Sequence, residues 1–153
     1  TPAAREYFGI IGDNDPMYKG GSYQFVQKYI HDMTAWNALP VSEQEKVIGR
    51  SKQDDIEMSE DEKPANSHSA IANIGDDFKV IRDNMPFGTV GNNELGTYFI
   101  CYASTFSTVR KMLMNMFTDV DGANYDRLLD FSTAVTGTLF FVPTVDMLGD
   151  FAG

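Results

Sequence analysis

The two histidines of the sequence, His31 and His68, are the side chains best suited to bind a metal ion or to move protons near neutral pH. Because there are only two, a metal site built from several imidazoles is not available within one chain. His31 stands beside Asp32 at the end of a run of aromatic and β-branched residues, where a structural or surface role is the favoured interpretation. His68 lies in a polar segment after Pro64, and its small neighbours leave room for a large, flat ligand. It is the candidate for a single-histidine site, although a lone histidine in a polar loop is more often structural.

Arg82 and Asp126 are the side chains that could support such a site. Arg82 carries a permanently charged, planar group of donors, which suits a ligand's carboxylates or negative charge that develops during a reaction. The alternative is an ordinary surface pair of an arginine and an aspartate. Asp126 could accept a hydrogen bond from a metal-binding imidazole and raise its basicity. The alternative is a carboxylate that stabilises the first turn of a helix, and the sequence does not separate these interpretations.

Other chemistries find little support in the motifs. Carboxylates are concentrated in the acidic segment 51–66, no glycine-rich phosphate loop follows a strand, and no G-x-S-x-G motif occurs. The single cysteine, Cys101, excludes an internal disulfide and a thiolate metal cluster, and its apolar neighbours predict a buried side chain. The sequence therefore contains no motif that supports a hydrolase or a nucleotide-binding function.

The composition limits the partners and the location. Twelve Lys and Arg against 22 Asp and Glu give a formal net charge of -10, which repels nucleic acid and anionic membrane surfaces. The longest strongly apolar stretch, 137–148, is too short to span a bilayer. Low cysteine use favours a reducing compartment, so we expect a cytoplasmic protein. The length predicts a single domain over 1–153, and the start at Thr1 and Pro2 leads us to expect missing residues upstream.

The pattern of apolar residues predicts the elements that must position these side chains. They are a strand at 22–32, a helix at 42–49 that begins with an S-x-x-E capping box, an exposed acidic loop at 51–66, strands at 79–82 and 96–103 with turns at 85–93 between them, a helix at 105–117, a turn at Asp121 and Gly122, a short helix at 124–131 and a final buried strand at 137–142. The order is βαββαβ. It predicts an α+β, ferredoxin-like fold, with an antiparallel sheet that carries helices on one face.

Several stretches taken together resemble the C-terminal half of the dye-decolourising peroxidases, a family of haem peroxidases (DyP-type). The matching stretches are 20–23, 26–27, Trp36, 43–45, 48–52, Ser67 with His68, Ile-Arg-Asp-Asn-Met-Pro-Phe-Gly at 81–88, 96–99 and 135–143. The resemblance runs nearly from end to end of the chain. It implies the ferredoxin-like fold that the element order predicts independently.

The resemblance also implies a cofactor, a reaction and roles for six residues. The cofactor is haem b (iron protoporphyrin IX), and the reaction is the oxidation of dyes, phenols or similar small organic electron donors by hydrogen peroxide. The implied roles are His68 as the ligand to the iron, Asp126 as the carboxylate that hydrogen-bonds His68, Arg82 and Asn84 as catalytic residues on the opposite face of the haem, Phe99 as an apolar wall of that face, and Arg50 as a contact of the haem propionates. The implied assembly is a homo-oligomer.

One feature of the family is absent. The family consists of two ferredoxin-like halves, and its first half carries a Gly-Phe-x-Asp-Gly motif whose aspartate assists proton transfer. This sequence lacks that motif, so we expect it to be the C-terminal half and to need the N-terminal half of the same protein as a partner for turnover. The alternative is a haem-binding or haem-handling protein without peroxidase turnover. A third hypothesis is a structural module that oligomerises through its sheet.

Overall fold

The computed structural model describes residues 9–75, 80–88, 91, 94–118 and 125–151. In chain order its elements are β1 (Ser22–His31), α1 (Met33–Ala38), α2 (Val41–Ile48), α3 (His68–Ile71), β2 (Ile81–Gly88), β3 (Leu95–Ala103), α4 (Phe106–Phe117), a 3₁₀ helix (Arg127–Asp130), β4 (Ser132–Ala134), β5 (Thr138–Val142) and α5 (Val145–Phe151). Within these ranges no helix has the length and apolar character that a membrane crossing requires.

The five strands form one antiparallel sheet with β1 at its centre. β3 pairs with one edge of β1, and β2 pairs with the far edge of β3. The other edge of β1 is shared, since β5 pairs with its first half and β4 pairs with its end. The order β2-β3-β1-β4, with the last strand divided in two, is that of a ferredoxin-like fold. The α+β class and the antiparallel sheet predicted from the sequence are confirmed.

The core lies between one face of this sheet and the helices α3 and α4. Alternate residues of a strand point to the same face, so each strand supplies every second side chain. From the sheet come Phe25, Tyr29, Phe99 and Cys101, and from the helices come Ile71, Val109, Met112 and Met116. Burying an apolar side chain of this size contributes about 1.5–3 kcal/mol, so the packing of α3 and α4 against the sheet is what holds the layers together.

The strongest patterns in the sequence predict their elements closely. β1, β3 and α4 match the predicted strands at 22–32 and 96–103 and the predicted helix at 105–117 to within one residue at each end. The helix predicted at 42–49 is α2, but its capping box is wrong. Ser42 lies inside the helix, and Pro40 stands at the N-cap without a side-chain hydrogen bond. α2 ends as expected at Gly49, whose φ of 83° is a left-handed conformation that favours glycine.

The structure corrects three predictions in the second half of the chain. β2 begins at Ile81 and continues to Gly88, through the segment predicted as turns; Pro86 is compatible with a strand at the edge of the sheet, where a missing N–H breaks no ladder. The final strand is exposed rather than buried, with Phe140 48% accessible. The helix predicted at 124–131 is a 3₁₀ helix of four residues. Lys79, at the start of the predicted strand, and the predicted turn at Asp121 and Gly122 lie outside the described residues.

Four short elements were not predicted: α1, α3, β4 and α5. α1 begins where the Asp32 carboxylate accepts a hydrogen bond from the Ala35 N–H at 2.9 Å. α3 consists of four residues and begins at His68, just after the segment 51–66 that was predicted as a loop. Helices this short gain little from local propensity and depend on the packing around them.

Candidate functional site

His68 is held at the first position of α3 by a hydrogen bond to a buried carboxylate. Its Nδ1 lies 2.7 Å from Oδ2 of Asp126, although the two residues are far apart in the sequence. Asp126 is fully buried, whereas the His68 side chain is 31% accessible. A carboxylate can only accept here, so it favours the imidazole form with the proton on Nδ1. That form leaves Nε2 as a free lone pair, which is the form needed to bind a metal ion.

Asp126 is itself fixed from several directions. Its second carboxylate oxygen, Oδ1, accepts from the N–H of Leu128 at 2.9 Å at the start of the 3₁₀ helix. Its backbone N–H donates to the carbonyl of Met116 at the end of α4, and the next N–H, of Arg127, donates to the carbonyl of Asn66. The backbone at Asp126 and Arg127 therefore joins the end of α4 to the segment just before His68. A carboxylate on a backbone fixed in this way, with its second oxygen bonded to Leu128, can hold the imidazole in one orientation.

A cavity of about 300 Å³ lies on the face of the sheet that carries the core; we name it the main cavity because four of the six predicted site residues line it. The sheet supplies Gln27, Tyr29, His31, Arg82, Asn84, Thr97, Phe99 and Ser132, and the other side supplies His68, Met112, Leu113, Met116, Leu128 and Leu129. The strand register brings the sheet residues together, because Asn84 pairs with Phe99 and Phe99 pairs with Gln27 in one row across three strands. Arg82 occupies the next row of the same face, opposite Cys101.

Arg82 points a charged group at this cavity without a carboxylate partner among the described residues. Its Nη1 lies 3.9 Å from the Sδ of Met112, a weak contact for a guanidinium group. Asn84, two residues further on β2, lines the same cavity. A guanidinium group that faces a partly apolar cavity is ready to bind an anion or to stabilise negative charge there.

A second cavity of about 370 Å³ adjoins the first, and His68, Arg82 and Met112 line both. Arg50 lies on its wall, 2.7 Å from the carboxylate of Asp55 and 3.5 Å from that of Glu57. The Arg50 side chain is 35% accessible, so these ion pairs are partly exposed and weak enough to exchange for another anion. The two cavities together form one concave region around the His68 imidazole.

Burial shapes the ionisation of three groups beside the cavity. It raises the pKa of the Tyr29 hydroxyl well above the usual range, and the neighbouring Asp126 charge acts in the same direction. The Tyr29 hydroxyl donates to Oε1 of Gln27 at 2.6 Å. Burial lowers the pKa of His31 and raises that of the Cys101 thiol to about 11. Tyr29, His31 and Cys101 are therefore neutral near pH 7.

The comparison with protein families decides the relationship. The family model described as Dyp-type peroxidase, C-terminal, matches residues 2–147. The chain belongs to this family. A dye-decolorizing peroxidase from Rhodococcus erythropolis is 58% identical over 144 residues, covering 92% of this chain and 42% of the relative. One from Mycobacterium tuberculosis is 56% identical over 142 residues, covering 90% of this chain and 42% of the relative.

Solved structures of DyP-type peroxidases share the fold of the chain. A dye-decolorizing peroxidase from Bacteroides thetaiotaomicron superposes with a TM-score of 0.90 at 62% identity, over 95% of this chain and 47% of the other. A variant of DypB from Rhodococcus jostii RHA1 in complex with heme superposes with a TM-score of 0.88 at 50% identity, over 97% of this chain and 49% of the other. The chain thus spans less than half the length of the relatives that it matches.

The residues of this DyP-type domain fit a haem group. The imidazole of His68 has its Nδ1 engaged by Asp126 and its Nε2 left for a metal ion, the form in which histidine binds haem iron. The adjoining cavities have apolar walls that suit a porphyrin ring, and Arg50 and Arg82 provide cations that suit its carboxylates. The donor set and the shape of the site agree with each other.

The structure brings together every site residue that the sequence predicted. The main cavity is lined by His68, Arg82, Asn84 and Phe99. Asp126 is hydrogen-bonded to His68, and Arg50 lines the second cavity. The sequence assigned no role to His31, yet it stands on the wall of the main cavity. Gln27, Tyr29, Thr97 and Ser132 were also missed. The alternation of side chains along the strands was visible, but the face that carries the site follows only from the strand register.

Proposed function

We propose that this chain is the haem-binding part of a peroxidase that oxidises dyes, phenols or similar small electron donors with hydrogen peroxide. The observation that carries the proposal is the hydrogen bond between His68 and the buried Asp126, which leaves Nε2 of His68 to bind a metal ion beside a cavity lined by Arg82. This combination is the one expected of a histidine-bound haem that reacts with peroxide. The family of the chain supports the same conclusion.

Haem b, when bound, supplies the exchange of electrons between peroxide and the electron donor. His68 would hold the iron, and Asp126 fixes the orientation of the imidazole and raises its basicity by accepting from Nδ1. Arg50 and Arg82 offer positive charge to the haem propionates from the walls of the cavities.

Arg82 and Asn84 act on hydrogen peroxide in the main cavity. The guanidinium group of Arg82 stabilises negative charge that develops on a peroxide oxygen, and the Asn84 side chain offers a hydrogen-bond donor and an acceptor from the same strand. Phe99, which is 8% accessible, gives this region an apolar wall, whereas Arg82 and Asn84 are themselves exposed to solvent. Each residue is held in place by the pairing of β2 with β3.

We also propose that the remainder of the protein completes the site. Among the described residues that line the main cavity, none is an aspartate or a glutamate, so a proton acceptor for peroxide would come from elsewhere. The relatives are more than twice as long as the matched segment, and an N-terminal half of the same protein would provide the missing group. A homo-oligomeric assembly and a cytoplasmic location are proposed on the resemblance and the composition alone.

A titration with haem tests the assignment of His68. We expect wild-type protein to develop a Soret absorption band with one haem bound per chain, and His68→Leu to lose it or to bind haem at least 10-fold more weakly. His31→Leu is the matched control, because it removes the other imidazole from the wall of the same cavity. Equal haem binding by wild type and His68→Leu, with an unchanged Soret maximum, would remove His68 as the ligand.

A haem-binding or haem-handling protein without peroxidase turnover is the second candidate, and the absence of an acidic side chain from the described lining of the main cavity favours it. Peroxide-dependent oxidation of a dye separates the two functions. The assay uses haem-loaded protein with and without the N-terminal segment of a relative added as a separate chain. Dye oxidation that appears with that segment supports the peroxidase; stoichiometric haem binding without turnover in both samples supports the second function.

A further inference from the structure

A third, smaller cavity lies beside the main one, at the end of β1. Its volume is about 160 Å³, and its apolar walls are Met33, Trp36, Leu128 and Phe131. His31 and Ser132 complete the lining, and both of these residues also line the main cavity. We name it the Trp36 cavity. None of the roles assigned above uses it.

We propose that the Trp36 cavity binds a small phenol, which packs its ring against Trp36 and Met33 and forms a hydrogen bond through its hydroxyl group with the paired side chains of His31 and Ser132. The proposal deepens the proposed function, on which its role in catalysis rests, because it names where an electron donor of the phenol class binds. The binding itself is independent of haem.

The size of the Trp36 cavity fits a single aromatic ring. An apolar cavity of about 150 Å³ inside a protein is known to hold one benzene molecule, and the Trp36 cavity has a volume of 160 Å³. Trp36 and Phe131 meet edge to face, with ring centroids 5.3 Å apart and an angle of 73° between the planes. A third aromatic ring can join such a pair in the offset or edge-on arrangements that aromatic rings prefer.

The polar side of the Trp36 cavity fits a hydroxyl group. His31 and Ser132 face each other across β1 and β4, and Nδ1 of His31 lies 2.8 Å from Oγ of Ser132. Ser132 is 5% accessible, so this hydrogen bond fixes the imidazole ring. Nε2 of His31 makes no hydrogen bond to the described residues, and it can accept from or donate to a phenol hydroxyl according to which nitrogen carries the proton. Burial lowers the pKa of His31, so the imidazole is neutral and suits an uncharged phenol.

The position of His31 and Ser132 relates the Trp36 cavity to the proposed reaction. Because both side chains line the two cavities, a phenol bound against them is separated from the main cavity by one layer of side chains. Electron donors therefore need not enter the cavity that would hold haem and peroxide. His31 is a binding residue in this proposal, since it contacts the phenol hydroxyl.

Fluorescence of Trp36, the single tryptophan of the chain, provides a direct test. Phenol is added to the protein without peroxide, with toluene as a ligand of similar shape that lacks the hydroxyl group. We expect a saturable change in emission with a Kd of about 1 mM for phenol, the range for so small a ligand, and binding of toluene about 10-fold weaker because it leaves the hydrogen bond unmade.

Two variants assign the response to the Trp36 cavity. Met33→Phe narrows the cavity and is expected to weaken phenol binding at least 10-fold, whereas Met114→Phe makes the same substitution at an exposed position of α4 and is expected to leave it unchanged. His31→Leu is expected to remove the preference for phenol over toluene. A phenol response that Met33→Phe leaves intact, or a preference that survives in His31→Leu, overturns the proposal.

The outcome is distinguishable from that of the proposed function. If phenol does not bind but haem still binds through His68, the phenol site in the Trp36 cavity is refuted and the proposed function is not. Phenol binding by wild-type protein that takes up no haem supports the site and counts against the assignment of haem binding to this chain. Competition between phenol and haem for one site places the phenol in the main cavity and so overturns the inference.

Discussion

Replacing Asp126 with asparagine isolates the contribution of one carboxylate to the state of His68. The wild-type carboxylate accepts two hydrogen bonds, from Nδ1 of His68 at 2.7 Å and from the N–H of Leu128 at 2.9 Å. An asparagine of the same shape has one acceptor oxygen and one NH₂ donor. If its oxygen stays with Leu128, its NH₂ group meets Nδ1 of His68. The imidazole can then only accept at Nδ1, and its proton moves to Nε2, the atom needed for iron.

The magnitude of this effect follows from the bonds that are lost. A hydrogen bond to a charged group contributes about 1.5–3 kcal/mol, so we expect Asp126→Asn to lower the free energy of unfolding by about 1–3 kcal/mol. Changing the partner of a metal-binding histidine weakens the metal site about 10- to 100-fold. We expect haem affinity to fall by that factor, which corresponds to about 1.4–2.7 kcal/mol.

Two measurements check the prediction. A haem titration followed by Soret absorbance gives the affinity, and ¹⁵N NMR of the histidine side chains shows which nitrogen of His68 carries the proton in haem-free protein. Asp130→Asn is the matched control, because Asp130 belongs to the same 3₁₀ helix but is exposed and accepts only from the Tyr125 hydroxyl at 2.6 Å among its described side-chain partners. If Asp126→Asn kept wild-type haem affinity and a proton on Nδ1, the reasoning about Asp126 would be refuted.

Three further predictions concern stability. Gly49→Ala is expected to cost about 1–3 kcal/mol in a urea titration, because φ at this position is 83° and a Cβ atom would collide with the hydroxyl groups of Ser67 and Ser69. Cys101→Ser is expected to cost about 1–3 kcal/mol in the same titration, since it buries a hydroxyl group at a fully inaccessible position, and the wild-type thiol is expected to react slowly with a disulfide reagent at pH 8 because its pKa is about 11. Wild type is expected to lose free energy of unfolding relative to His31→Leu as the pH falls below about 6.5. The reason is that burial lowers the pKa of His31, so the unfolded chain takes up the proton at a higher pH than the folded chain does. A difference in the free energy of unfolding that is constant from pH 8 to pH 5 contradicts this.

The sequence predicts an element well where the apolar pattern is long and its period is clear. β1 and β3 alternate over nine or ten residues, and α4 repeats its apolar residues over three turns, so each was predicted to within one residue. α3 shows the opposite case. Its four residues have no period of their own, and the helix is fixed because Ile71 packs into the core and His68 bonds to Asp126. Such an element exists through distant contacts that no local pattern contains.

β2 was mispredicted for a different physical reason. Met85 and Pro86 favour a turn when the local sequence is considered alone, but β2 pairs with β3 on one side only, and a proline is tolerated at a sheet edge. Edge and centre of a sheet are properties of the fold, so the sequence pattern could not distinguish them. The consequence for the site is direct, because the extended strand carries both Arg82 and Asn84 toward the same face.

The site residues show how far reasoning from single residues reaches. Each of His68, Arg82 and Asp126 had an ordinary structural explanation, and it was their joint resemblance to a family that selected the haem site. The structure shows the physical link between them: the imidazole of His68 is hydrogen-bonded to the carboxylate of Asp126, and the backbone N–H of Asp126 is bonded to the end of α4. The Trp36 cavity had no comparable signal, since its lining comes from five separate elements or turns.

The geometry of the site depends on strand register more than on any single contact. Arg82 and Asn84 lie two residues apart on β2, and their partners Cys101 and Phe99 lie two apart on β3, so both charged and polar groups face the main cavity. A shift of β2 by one residue would turn them to the other face of the sheet and present Asp83 to the cavity instead. That exchange would replace a cation with an anion beside His68. The eight residue pairs between β2 and β3 oppose this shift, as does the ring of Phe87, which packs against Tyr98 with centroids 4.9 Å apart. Side chains outside the main cavity therefore help to determine the charge that a ligand meets there.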